Sequence, residues 1–351
     1  MPQVITRFHN LRRIDMMGCY MVTAPVIEKF CAAKVVFKRM ESINMEALPE
    51  LKDKAVSKLA RITPKLKELS IAKCQRITDR GLEAVATGCP DLVTLNVNYD
   101  SKVVPIGAPG VVWPPSGLSK LRAINLRGCA NLTPDLFENL LQTCEHLKLL
   151  VTPCHINDVD LNLIAGHCPN LVSLDMSYSY YPTDNGVESV ANGCPSATSP
   201  RTYFAAPPSA GAPDPLRATW SELTHLNIEG CQLLTDGALL ALTEAKLPLT
   251  WLNYSYCLNI TDAGVTHVAT KCAKLQVRTH ASGPPKRESI ASPHRASSLD
   301  VQTLRMVGLY KITEQSVFQF IHTAHELKYL DITQCDKRAP KFPSLRSSGL
   351  D

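Results

Sequence analysis

The chain has 351 residues, with 37 Lys and Arg against 32 Asp and Glu, a net charge of +5, and 45% apolar residues. That balance excludes global disorder and offers no bulk charge for nucleic acid or a membrane surface. No run of about 18 apolar residues occurs, so no membrane span is expected. Residues Met1 to Asn10 lack the apolar core of a secretion signal. The 13 cysteines are odd in number, and without a signal peptide they read as reduced thiols of the cytoplasm or nucleus.

Along the chain, the first predicted element is a short strand in the pattern Leu11-x-x-Ile14-x-Met16-x-x-Cys19. The same pattern returns at Leu66-x-x-Leu69-x-Ile71-x-x-Cys74 and Leu121-x-x-Ile124-x-Leu126-x-x-Cys129. It returns again at Leu223-x-x-Leu226-x-Ile228-x-x-Cys231, Leu249-x-x-Leu252-x-Tyr254-x-x-Cys257 and Leu327-x-x-Leu330-x-Ile332-x-x-Cys335. Weaker copies begin at Met40, Leu92, Leu147, Leu171 and Val301, where Leu48, Asp100, His155, Ser179 and Leu309 fill the cysteine slot. Successive copies start about 24 to 29 residues apart, or about 52 where one is obscured. Alternating apolar residues predict a strand with one face inward.

Each strand leads into a turn and a helix start. Thr78-Asp79-Arg80-Gly81, Thr235-Asp236-Gly237 and Thr261-Asp262-Ala263-Gly264 place a side-chain oxygen where it caps orphan helix amides. A helical stretch follows, as in Leu82, Val85 and Ala86. A second cysteine closes it, often before proline: Cys89-Pro90, Cys168-Pro169 and Cys194-Pro195, with Cys144 and Cys272 in the same slot.

These copies resemble the cysteine-containing leucine-rich repeats of F-box substrate receptors and their F-box-free relatives. The resemblance implies an α/β solenoid, a horseshoe with a curved parallel sheet on the concave face and helices outside. About eleven repeats are expected over 8–336, followed by a disordered tail at 337–351. Three irregular segments interrupt them: 101–118, 197–222 and 277–302, rich in Pro, Gly, Ala or Ser. Removing 197–222 restores the Cys-Pro-x-Leu junction at Leu223, and removing 277–302 restores Leu-x-x-Leu-x-Met through Met306. A first strand at Leu11 leaves no room for an F-box, and neither terminal repeat carries a polar cap, as expected of a fragment of a longer protein.

Thirteen Cys and ten His invite a metal reading, but no C-x-x-C pair occurs, and the cysteines recur because the repeat recurs. Structural, buried thiols are expected, with no metal and no cofactor. There is no G-x-S-x-G, P-loop or H-E-x-x-H, so no catalytic residue is assigned.

Binding is the stronger expectation. Residues between the inward Leu positions face the concave side. The middle ladder runs Asp15, Asn44, Ser70, Asn96, Asn125, Val151, Asp175, Asn227, Asn253, Arg305, Asp331. Aromatic residues lie on or beside it: Tyr99, Tyr178, Trp251, Tyr256 and Tyr329. Tyr, Trp and Arg are common contact anchors. The expected partner-binding residues are Asn125, Arg127, Asp175, Tyr178, Asn227, Glu229, Trp251, Asn253, Tyr256, Arg305 and Tyr329, centred between Asn125 and Tyr256. The resemblance implies a target protein held on this face for ubiquitin-dependent degradation. An adaptor and a cullin would join only through an F-box outside this chain. The alternative is an F-box-free scaffold in cell-cycle or ciliary assemblies. Neither nucleic acid nor membrane is expected as a partner.

Overall fold

An apolar residue flanked by two outward-facing ones is enough for a short strand when an identical strand lies on each side. The computed structural model describes residues 10–21, 36–98, 117–129, 134–192, 222–245 and 247–271. It also describes the short segments 276–277, 303–305, 311–312 and 329–331 and the single residues 28, 132 and 309. The strands are β1 (Arg13–Asp15), β2 (Ser42–Asn44), β3 (Glu68–Ser70), β4 (Thr94–Asn96) and β5 (Ala123–Asn125). They continue with β6 (Leu149–Val151), β7 (Ser173–Asp175), β8 (His225–Asn227), β9 (Trp251–Asn253) and β10 (Gln276–Val277). All ten form one parallel sheet in chain order. The fold is an open α/β solenoid.

The register follows the sequence copies. Asp15, Asn44, Ser70, Asn96, Asn125, Val151, Asp175, Asn227 and Asn253 pair rung by rung. The ladder does not continue to Arg305 as expected. β10 takes the place beside β9, pairing Gln276 with Trp251 and Val277 with Leu252. Val277 thus belongs to a strand, not to the interruption read at 277–302. β11 (Thr303–Arg305) and β12 (Tyr329–Asp331) form a separate two-stranded sheet, in which Arg305 pairs with Asp331. β11 lies against β10. Lys311 pairs with Thr261 and donates from Nζ to Asn259 Oδ1 at 2.8 Å, so the loop after β11 stacks on the loop after β9.

Outside the sheet run α1 (Asp53–Ile62), α2 (Asp79–Gly88), α3 (Pro134–Thr143), α4 (Asp158–His167), α5 (Asp184–Asn192), α6 (Asp236–Glu244) and α7 (Asp262–Lys271). α1 packs on α2, and α3 to α7 pack each on the next. α2 and α3 do not touch among the described residues, and no helix is described between β4 and β5. The junction at 197–222 behaves differently. β7 pairs directly with β8, and α5 packs on α6. The first break ends earlier than read: Leu118 is buried in the slot that Cys89, Cys144 and Cys168 fill elsewhere. Tyr99, residues 101–116, 197–221, 278–302 and the tail 337–351 lie outside the described residues.

Between sheet and helices lies one continuous apolar core, in which Leu69, Leu95, Ile124, Leu150, Leu174, Leu226 and Leu252 are the inward strand residues. Leu309 and Ile312 belong to the same core. The position closing the strand turn is a cysteine because a thiol is small, apolar and still a donor. Cys257 Sγ points at Ile228 O at 3.1 Å, Cys74 at Met45 O at 3.1 Å and Cys231 at Met176 O at 3.3 Å. Each acceptor belongs to the preceding repeat. Ser179, which replaces the cysteine, donates instead to Pro153 O at 3.4 Å, one residue further along the preceding repeat. Burial pushes the thiol pKa values up, to about 12 for Cys74, Cys144 and Cys231 and about 11 for Cys89. Among the described residues no three His, Cys, Asp or Glu are grouped to hold a metal.

The Thr-Asp helix starts work across repeats. At Thr78 no side-chain cap bond forms; the hydroxyl donates to Asp53 Oδ2 at 2.7 Å, and the backbone N–H to Asp53 Oδ1 at 2.7 Å. Thr183 on Asp158, Thr235 on Asp184 and Thr261 on Asp236 repeat the arrangement. Thr235 also accepts from Gly237 N at 3.2 Å, as a conventional cap. Each Asp therefore holds down the helix start of the repeat after it, and glycine follows because space is short. A Cβ at Gly237 would lie 2.6 Å from Asp184 Oδ2.

Candidate protein-interaction face

The residues of the middle ladder first shape the backbone. Asn125 Oδ1 accepts from Arg127 N at 3.0 Å, Asp175 Oδ1 from Ser177 N at 3.0 Å, Asn227 Oδ1 from Glu229 N at 3.2 Å and Asn253 Oδ1 from Ser255 N at 3.1 Å. Asp15, Asn44 and Asn96 do the same at the N-terminal end. Such Asx turns mimic a backbone turn and need a short side chain with a carbonyl or carboxylate oxygen. The Asp and Asn residues of the ladder therefore each begin a turn after their strand, whereas Ser70 and Val151 do not. Asn125 and Asn253 are only 7% and 1% exposed. At these two positions the expected open contact is corrected, because the side chain folds down over its own turn.

Three residues after seven of the described ladder positions the backbone turns left-handed. Gly18, Gly128 and Gly230 hold φ of 70°, 74° and 68°. Ala47, Lys73, Tyr178 and Tyr256 hold φ of 60°, 59°, 60° and 58° in the same slot. A bulky side chain there is strained, and strain retained in this way collects at functional sites. Two of the predicted anchors, Tyr178 and Tyr256, occupy it on either side of Gly230. The Tyr178 ring lies over that glycine: a Cβ at Gly230 would fall 2.7 Å from Tyr178 Cδ1.

Two polar clusters result. In the first, Arg127 Nη2 donates to Asp175 Oδ2 at 2.7 Å and to Ser177 Oγ, while Ser177 Oγ donates to Asp175 Oδ1 at 2.7 Å. In the second, Glu229 accepts on both carboxylate oxygens, from Tyr178 OH at 2.5 Å and from Asn253 Nδ2 at 2.9 Å. Burial, followed by the Glu229 carboxylate, pushes the Tyr178 hydroxyl pKa up. On the first residue of β8 and β9, His225 stacks on Trp251 with ring centroids 6.1 Å apart.

Of the eleven predicted residues, the structure thus joins Arg127 with Asp175, and Tyr178 with Glu229 and Asn253. Asn125 and Asn227 hold turns beneath them. Trp251 and Tyr256 flank the same stretch of sheet. Arg305 and Tyr329 stand apart in the two-stranded sheet. Sequence reasoning missed His225, Ser177 and a rim of exposed apolar side chains, Tyr180, Tyr181 and Leu233, at 50%, 59% and 49% exposure. The repeat alignment carried the signal: Gln75, Arg76 and Asn259 fill those loop positions in other copies.

A family model described as Leucine Rich repeat matches residues 64–86. The chain carries a leucine-rich repeat. Yeast Rad7, solved in complex with Elc1, is similar in fold at a TM-score of 0.50 and 14% identity, covering 91% of this chain and 74% of that one. The leucine-rich repeat-containing protein LegL7 from Legionella pneumophila aligns with a TM-score of 0.41 and 11% identity, covering 76% and 81%. Solenoids of this type present an extended concave surface for binding, and proteins are their usual partners. Among the described residues no helix is long and apolar enough to cross a membrane.

Proposed function

We propose that this chain is a protein-recognition module that holds a target protein on the concave face between β5 and β9. The observation that carries this reading is the cluster of Tyr178, Glu229, Asn253, Trp251 and His225, where aromatic rings and preset polar groups share one patch. We further propose that it serves as the substrate-recognition part of a cullin-type ubiquitin ligase, in the cytoplasm or nucleus, with an F-box region outside this chain recruiting the adaptor. The cysteine-containing pattern supports this finer reading, as does the fold likeness to Rad7, which was solved with Elc1 bound. We read 197–222 and 277–302 as largely foreign to the repeat. The direct pairing of β7 with β8 supports this for the first.

The test is capture of partners from cells by the full-length protein and by its Trp251→Ala variant. The expected result is a target that is captured by the wild type, lost in the variant and accumulates when the protein is depleted, with adaptor and cullin retained by both forms. A target retained equally by both forms would remove the concave face from the reading. A target captured with no adaptor or cullin would replace the ligase role with that of a scaffold.

A further inference from the structure

Glu229 lies two residues after the ladder position Asn227. Among the described residues no Lys, Arg or His lies within ion-pair distance of it. Its two oxygens are held by neutral donors, Tyr178 OH and Asn253 Nδ2. Arg127, the cation on the neighbouring part of the face, is turned to Asp175 and Ser177. A half-buried carboxylate held by two neutral hydrogen bonds is oriented in a fixed place.

Its surroundings suit a cation. Tyr178 and Tyr256 stand in the left-handed turn position on either side of Gly230, the residue after Glu229. Tyrosine ring faces attract an ammonium or guanidinium group. The absence of a side chain at Gly230 leaves room for the Tyr178 ring to lie over it. The exposed Tyr180, Tyr181 and Leu233 border the same turns and offer apolar contact to residues flanking a charge.

We infer that the concave face takes a basic side chain, arginine or lysine, of an otherwise apolar partner segment, seated on Glu229 between Tyr178 and Tyr256. This rests on the concave-face reading and specifies its partner. The carboxylate supplies the counter-charge, the rings supply the walls, and the strained backbone at both tyrosines holds the walls in place.

The test uses the full chain and short labelled peptides of one apolar scaffold that differ only in carrying arginine, lysine, glutamine or glutamate, read by fluorescence anisotropy over a salt series. The arginine and lysine peptides should bind about tenfold more tightly than the glutamine peptide, as one desolvated charge pair provides. Added salt should erode the difference. Glu229→Gln should abolish the preference. Tyr178→Phe keeps the charge and the ring and should weaken it only in part, which separates a charge effect from a folding defect. Binding of the glutamate peptide as tightly as the arginine peptide, lost in Trp251→Ala, would overturn the basic anchor and leave the concave face standing. Binding of none of the four would overturn both.

Discussion

Arg127 reaches across a whole repeat to Asp175. Its Nη2 lies 2.7 Å from Oδ2, although β6 runs between the strands that bear them. The reach is open because the β6 rung is Val151, the one apolar member of the described ladder. Both side chains are about a quarter exposed, so solvent screening limits the pair to about 1 kcal/mol. A double-mutant cycle on Arg127→Ala and Asp175→Asn, read by urea midpoints, should return a coupling of that size. Asp175→Ala should destabilise more than Asp175→Asn, because only the alanine also loses the turn bond to Ser177 N.

The register is tested by two neighbours. Leu226 is 2% exposed in the core, whereas Asn227 faces the sheet surface and holds one turn bond. Leu226→Ala should cost about 2 to 5 kcal/mol and Asn227→Ala about 1 kcal/mol in urea unfolding. Equal shifts would refute the alternation.

Glycine at a helix start is usually a weak point, and Gly→Ala there normally stabilises by a few tenths to about 1 kcal/mol. At Gly237 the opposite is expected, because the new methyl would meet Asp184 Oδ2. Gly237→Ala should lower the melting temperature. In an Asp184→Ala background the same substitution should be neutral or stabilising.

The buried thiols set an alkaline limit. In the unfolded chain they ionise near the ordinary value of 9.0, while in the fold Cys74, Cys144 and Cys231 hold their protons to about 12. The fold then binds more protons than the unfolded chain between those values. Stability is full below pH 9 and falls as pH rises toward 12, by about 1.4 kcal/mol per thiol per pH unit. Urea midpoints across that range should show the decline, and Cys231→Ala should make it shallower. At neutral pH iodoacetamide should label the exposed Cys19 and spare these three.

The patch on the concave face was only partly legible in the chain. Strand alternation placed Arg127, Asp175, Glu229 and Trp251 on one side of the sheet, since side-chain direction is a local property, and Tyr178 next to them. The same alternation put Asn125 and Asn253 there too, without showing that each bends over its own turn and is buried. Tyr178 and Tyr256 were legible as aromatics but not as left-handed residues, because nothing in a Tyr codon position signals positive φ when glycine fills the slot next door. Pairing of β10 at Gln276 was missed because the apolar copy at Val301 is the better match to the pattern.

The repeat period by itself determined the parallel strand order through β9, the inward residues and the burial of Cys74, Cys129, Cys231 and Cys257, though not of Cys19 in the first copy, which is exposed. Contacts between copies were decided only by the stacked structure. Thr235 serves Asp184 as well as its own helix, Arg127 passes over Val151 to Asp175, and Glu229 gathers Tyr178 and Asn253 from the repeats on either side. Those bonds join residues 24 to 51 positions apart. Which side chain meets which across such a span depends on the strand spacing of about 4.8 Å and on the length of each side chain.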